Sequence, residues 1–132
     1  MKRPHIKSKL EHLPPFERGF FTAAFWTADD EAPGGMDYRD TGNANDHWQR
    51  LCPISKKEMM YRLHDWQIEN AELLEQAGDD EQNGHDLWLT QGRHGAGFWD
   101  RGYGETGEKL TESAHQFGEW HCSISDEGVF IE

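Results

Sequence analysis

An α+β fold, with helices packed on a small, largely antiparallel sheet built from two hairpins, is what this sequence predicts. Two observations lead there. Apolar residues recur at helical spacing over Ser55–Ala77 and Glu105–Phe117, and each stretch is followed by a glycine, Gly78 and Gly118. Two other stretches read as strand, turn and strand. One joins Asp86–Thr90 to Ala96–Asp100 across Gln91-Gly92-Arg93-His94-Gly95, and the other joins Trp120–Ser125 to Val129–Ile131 across Asp126-Glu127-Gly128. A length of 132 residues suits a single hydrophobic core.

Residues 1–15 read as a basic N-terminal arm ending at Pro14-Pro15, a stiff pair that disfavours helix before it. Residues 16–132 then form one α+β domain. The run FERGFFTAAFWTADDE from Phe16 has an ambiguous period. Phe16, Phe20, Ala23 and Thr27 fit a helical stripe, whereas Phe21, Ala23 and Phe25 fit strand alternation. Its length and its alanines favour helix. Residues 29–53 carry Pro33-Gly34-Gly35, Thr41-Gly42-Asn43 and Pro53, and read as a long irregular connection pinned to the core by His47 and Trp48. Ser55 and Glu58 have the spacing of a capping box, which opens a continuous helix to Ala77 with Met59, Leu63, Trp66 and Leu73 facing inward. In the second helix, Leu110, Ala114 and Phe117 share a face.

Hydrophobic residues make up 35% of the chain, and aromatics, six of them tryptophan, supply 12%. Large rings therefore carry much of the core. No run approaches the ~20 apolar residues of a membrane span, and the basic start, MKRPHIKSKL, lacks the apolar stretch of a secretory signal. Cys52 and Cys122 are far apart in sequence and are expected to be free and buried in a reducing compartment. The expected location is the cytoplasm.

Charge is uneven. The net charge is −12, yet residues 1–18 balance to +3, which leaves −15 for the rest. No Lys or Arg lies between Arg62 and Arg93, where Asp65, Glu69, Glu72, Glu75, Asp79, Asp80, Glu81 and Asp86 all fall. Such a field repels nucleic acid and anionic membranes and attracts basic partners. Direct nucleic-acid or membrane binding by the body of the chain is therefore not expected. Only the arm could touch phosphates.

On the predicted long helix, Glu58, Asp65, Glu69 and Glu72 fall within about 40° of Asp65, at rises of roughly 5–10 Å. Asp79 would continue the row if the last turn ran past Gly78. Phosphates along a DNA strand step over a comparable order of length. The row would therefore offer a DNA-like surface to a protein that grips DNA with Lys and Arg. The alternative is a solvated acidic helix face. Against simple solvation, opposite charges at i, i+4 are nearly absent after Arg62, so the helix forgoes stabilising pairs. On a strand Asp86–Thr90, Leu87 and Leu89 share one face and Trp88 takes the other. An exposed Trp88 in this acidic surround would be an interface anchor.

Other constellations carry less. His85, His94, His115 and His121-Cys122 lack the tight ligand spacing of metal sites, so no metal is expected. The glycines between Gly92 and Gly107 match no phosphate-loop pattern. They read as turn and close-packing positions. Asp86 and Asp100 would approach as a carboxylate pair across the first hairpin, which is usable acid–base chemistry, but no motif supports it. No catalytic residue and no cofactor are assigned.

The 21 residues Gly84–Gly104, GHDLWLTQGRHGAGFWDRGYG, hold six glycines, two tryptophans, a phenylalanine and two histidines. This segment resembles the C-terminal signature of a family of small, largely uncharacterised bacteriophage and prophage proteins. They carry a similar apolar strand, a His-Gly turn and a Phe-Trp-Asp-Arg-Gly run. The resemblance covers Gly84 to the C-terminus and weakens before Ser55. It implies a phage accessory protein and brings no catalytic residues with it. Joined to the charge distribution, it points to stoichiometric inhibition of a host nucleic-acid-handling defence complex, such as a CRISPR effector or a restriction enzyme, with DNA mimicry as one mode. The partner-binding residues would be Glu58, Asp65, Glu69, Glu72, Asp79 and Trp88. Two alternatives stand beside it. One is a small enzyme acting on nucleotides or modified bases through a His94–Asp100 hairpin, which requires a concave site converging on His94, Asp86 or Asp100. The other is a virion assembly protein, which requires extensive self-association.

Overall fold

The computed structural model describes residues 9–30 and 44–132. Six helices dominate them: α1 (Pro15–Trp26), α2 (Ala44–Arg50), α3 (Pro53–Glu69), α4 (Ala71–Ala77), α5 (Asp80–Gln91) and α6 (Glu105–Phe117). The strands are short: β1 (Asp29–Asp30), β2 (Cys122–Ser125) and β3 (Gly128–Ile131). The class is α+β, as expected, but among the described residues there is one hairpin rather than two. In that hairpin β2 pairs antiparallel with β3, from Cys122 against Ile131 to Ser125 against Gly128. The two-residue β1 adds to β2 in parallel, and Leu51 bridges the other edge at Val129.

The ambiguous period of the Phe16 run has a simple cause: α1 is the central helix. Phe16, Phe20, Phe21, Ala23, Ala24 and Phe25 are all buried, and a helix covered nearly all round shows no clean stripe. It packs against α5 backbone to backbone. A Cβ on Gly19 would lie 2.0 Å from the Glu81 carbonyl oxygen, and one on Gly84 would lie 1.9 Å from that of Phe16. Glycine at both positions is what allows the approach.

The same burial corrects the first hairpin. Asp86–Thr90 is the second half of α5, and Phe98–Asp100 is a single 3₁₀ turn. Asp79 starts α5, its carboxylate accepting the Gln82 N–H at 3.0 Å. From Asn83 to Gln91 every residue but the half-buried His85 is buried. Period alone cannot separate a short apolar run in such a helix from a buried strand. The following loop folds back on the helix, Phe98 donating its N–H to Thr90 Oγ1 at 3.2 Å. Trp99, which a hairpin would have buried, is 56% exposed.

The long helix is also divided. It begins at Pro53, a favourable first helical residue, so the expected Ser55–Glu58 capping box does not form. Instead the Ser55 hydroxyl donates to the Ile131 carbonyl at 3.1 Å and accepts the Ile131 N–H at 3.2 Å, tying α3 to β3. At the other end, buried Asn70 interrupts the helix with φ −114°, its side chain donating to the Trp66 carbonyl at 2.9 Å. Met59, Leu63 and Trp66 are buried as expected, and in α4 it is Leu74 that is buried while Leu73 is half-covered.

Other expectations match. Gly78, at φ +99°, ends α4, and α6 stops before Gly118 with Leu110 and Ala114 buried. Cys52 and Cys122 form no disulfide, as expected; Cys122 is buried, whereas Cys52 is only half-buried. The expected connection 29–53 lies partly outside the described residues, and its described end is α2, which buries His47 and Trp48. Of the expected arm, residues 1–8 lie outside the described residues. Leu10 and Leu13 pack into the core, and the Leu10 N–H bonds Asn45 Oδ1 at 2.9 Å. No helix among the described residues is long and apolar enough to cross a membrane.

Candidate docking face on α3

Helix α3 is fixed from its inner side. Trp66 lies between the rings of Phe16 and Phe98, with centroids 6.0 and 6.1 Å away, and its indole N–H donates to the Ser113 carbonyl at 3.3 Å. Lys56 is buried with its ammonium 4.5 Å from the Trp48 ring centre, and burial lowers its pKa. Gln67 donates to Glu17 of α1 at 2.5 Å. With that side anchored, the opposite side is committed to solvent.

That outer side carries two parallel rows. Glu58, Asp65 and Glu69 are exposed and lie within about 40° of one another round the axis. Beside them run Ile54, Tyr61 and Ile68, which are 79%, 64% and 64% exposed. They are seven residues apart, so each is about 10.5 Å beyond the last and rotated by only about 20°. The exposed Lys57 and His64 border the apolar row on its other flank. Glu58 is paired with Arg62 at 3.0 Å. Among the described residues no cation pairs with Asp65, Glu69 or Glu72.

Two expected members leave the face. Trp88 is 1% exposed, inside α5, with its indole N–H donated to Thr27 Oγ1 at 2.7 Å. It is core, not anchor. Asp79 does not extend the row, because α4 ends at Ala77 and the Asp79 carboxylate caps α5. Glu72 is exposed but belongs to α4, beyond the Asn70 break. The apolar row was missed because Met59, Leu63 and Trp66 already accounted for the helical period. The seven-residue spacing of Ile54, Tyr61 and Ile68 is the signal that would have found it.

Of the residues of the enzymatic alternative, Asp86 and Asp100 meet, around a cation, and His94 stays apart. Arg101 binds buried Asp86 through Nη2 at 2.8 Å and Nε at 3.1 Å, and lies 3.9 Å from Asp100. Gln82 adds a bond to Asp86 Oδ1 at 2.9 Å. Both Asp86 oxygens are thus occupied, and the guanidinium holds the two carboxylates in place. Burial and the Asp86 charge raise the Tyr103 pKa, and burial lowers that of His85. His94 is exposed, and among the described residues no hydrogen bond or ion pair joins it to Asp86 or Asp100. The cluster pins the Gly-rich loop to α5. Among the described residues no group of His, Cys, Asp and Glu is placed to hold a metal ion.

No family model, curated protein or solved structure matches the chain.

Proposed function

We propose that this protein is a stoichiometric binder that occupies the basic nucleic-acid-binding surface of a host complex, and that α3 presents the docking face. The observation that carries the reading is the exposed carboxylate row of α3, with exposed Glu72 beyond the break on α4 and no Lys or Arg between Arg62 and Arg93. Within the row Glu58 is paired with Arg62, while Asp65 and Glu69 pair with no cation among the described residues. Charges left unpaired on a surface steer association with a partner of opposite sign. The reading also draws on the resemblance of Gly84–Gly104 to phage and prophage proteins, under which the action would fall in an infected host's cytoplasm, with CRISPR effectors and restriction enzymes as the target class. No cofactor enters.

The test mixes the chain with purified CRISPR effectors and restriction enzymes carrying a labelled DNA or RNA. Binding to the target should displace the nucleic acid at one chain per site, at once, and less effectively as salt rises, because exposed charges are screened over about 8–10 Å at physiological ionic strength. Displacement that needs far less than one equivalent and grows with time would favour the enzyme. Joint binding of chain and nucleic acid without interference would overturn the proposal.

A further inference from the structure

A nucleic-acid mimic needs carboxylates. It does not need Ile54, Tyr61 and Ile68 standing in water at 64–79% exposure. A row of apolar side chains repeating every seven residues is the ridge that a second helix packs against at a crossing angle of about 20°. Between Ile54 and Ile68 the ridge is about 21 Å long, four turns that a partner helix can follow. The flanks differ, with the carboxylates of Glu58, Asp65 and Glu69 on one side and the Lys57 ammonium beside His64 on the other. The matching helix therefore has Lys or Arg along one edge only.

We propose that the partner docks on α3 through an amphipathic helix whose apolar stripe seats on Ile54, Tyr61 and Ile68 and whose basic edge faces Glu58, Asp65 and Glu69. This rests on the proposed function and adds the form of the partner and the source of affinity. Charge steers the approach, while desolvated aliphatic and aromatic anchors hold the complex. A second copy of this chain fits less well. Antiparallel pairing of two α3 helices sets each flank against its like, so the carboxylates would face one another. Either pairing also brings together two chains of net charge −12.

The probes are two fluorescent peptides of about 21 residues, or three heptads, with identical composition. One places Leu on a heptad stripe with Lys and Arg on one edge, and the other is scrambled. Anisotropy titration of the full chain at about 0.15 M salt should show the amphipathic peptide binding at least about tenfold tighter, or about 1.4 kcal/mol. The double variant Ile54→Ser, Ile68→Ser, confirmed folded by its thermal transition, should lose that preference. Equal binding of both peptides, or a preference that survives in the double variant, would overturn the proposal. So would dimerisation of the chain in sedimentation that the double variant abolishes. Asp65→Lys, Glu69→Lys, Glu72→Lys separates the two claims. If it leaves both peptides bound while the serine variant removes the preference, the apolar seat on Ile54, Tyr61 and Ile68 stands, and the basic edge and the electrostatic function fail. If it abolishes binding and the serine variant changes nothing, the reverse holds.

Discussion

Gly19 and Gly84 are reciprocal: each lies against a backbone carbonyl next to the other's helix turn, Glu81 facing Gly19 and Phe16 facing Gly84. The two helices touch there by backbone alone. The core is assembled around that contact. Phe20, one residue past Gly19, meets the Trp88 ring edge-on at 5.3 Å, and Trp88 reaches Thr27.

Gly84→Ala should therefore be severely destabilising. Its methyl group would meet backbone that has nowhere to move, an overpacking cost of about 3 kcal/mol. For a chain of this size that lowers the melting temperature by roughly 10 °C. Gly95→Ala is the control, since a Cβ there meets nothing within 4 Å. Adding Gly19→Ala to Gly84→Ala should cost less than the sum, because helices already forced apart need not separate twice. Equal melting temperatures for the Gly84 and Gly95 variants, measured by calorimetry, would refute the close crossing.

Arg101→Met should also destabilise the fold, for an electrostatic reason. Asp86 is fully buried and accepts most of its hydrogen bonds from Arg101. Removing one partner of such a pair leaves an uncompensated carboxylate, at a cost of about 3 kcal/mol. Changing both, Arg101→Met with Asp86→Leu, should recover much of that loss in urea unfolding. If Arg101→Met alone is neutral, the clamp does not hold the Gly-rich loop.

Much of this was legible in the sequence, and the failures share a cause. Helix α6 and the hairpin β2–β3 have one wet face each, so their periods show. From Asn83 onward helix α5 has none: Leu87, Trp88 and Leu89 are buried together, and a three-residue apolar run reads equally as strand. The Asn70 break is invisible because it depends on a buried side chain bonding its own helix. On α3 the acidic row could be read from spacing, whereas the apolar row beside it was hidden by a second, stronger apolar period on the inner face.

Glu17 gives the fold a pH signature. Burial raises its pKa above the ordinary 4.5, although the Gln67 bond opposes the shift. The folded protein therefore holds this proton at a pH where the unfolded chain has lost it. By linkage, stability falls as pH rises from about 4.5 through the folded value. Glu17→Gln keeps the acceptor for Gln67 and removes the charge. It should raise the melting temperature at neutral pH, with the difference vanishing below the ordinary carboxylate range. A gain that is constant from acid to neutral pH would contradict the buried carboxylate.

The most direct measurement compares two charge reversals of equal size in the nucleic-acid displacement assay. One is Asp65→Lys, Glu69→Lys, Glu72→Lys on the α3–α4 side. The other is Glu105→Lys, Glu108→Lys, Glu112→Lys on α6, where all three side chains are exposed. Both change the net charge equally, and surface changes of this kind cost little stability. If α3 presents the docking face, the first variant fails to displace nucleic acid and the second acts within about threefold of the parent, a difference under about 0.7 kcal/mol. Equal loss in both would mean that net charge, not this face, drives the interaction.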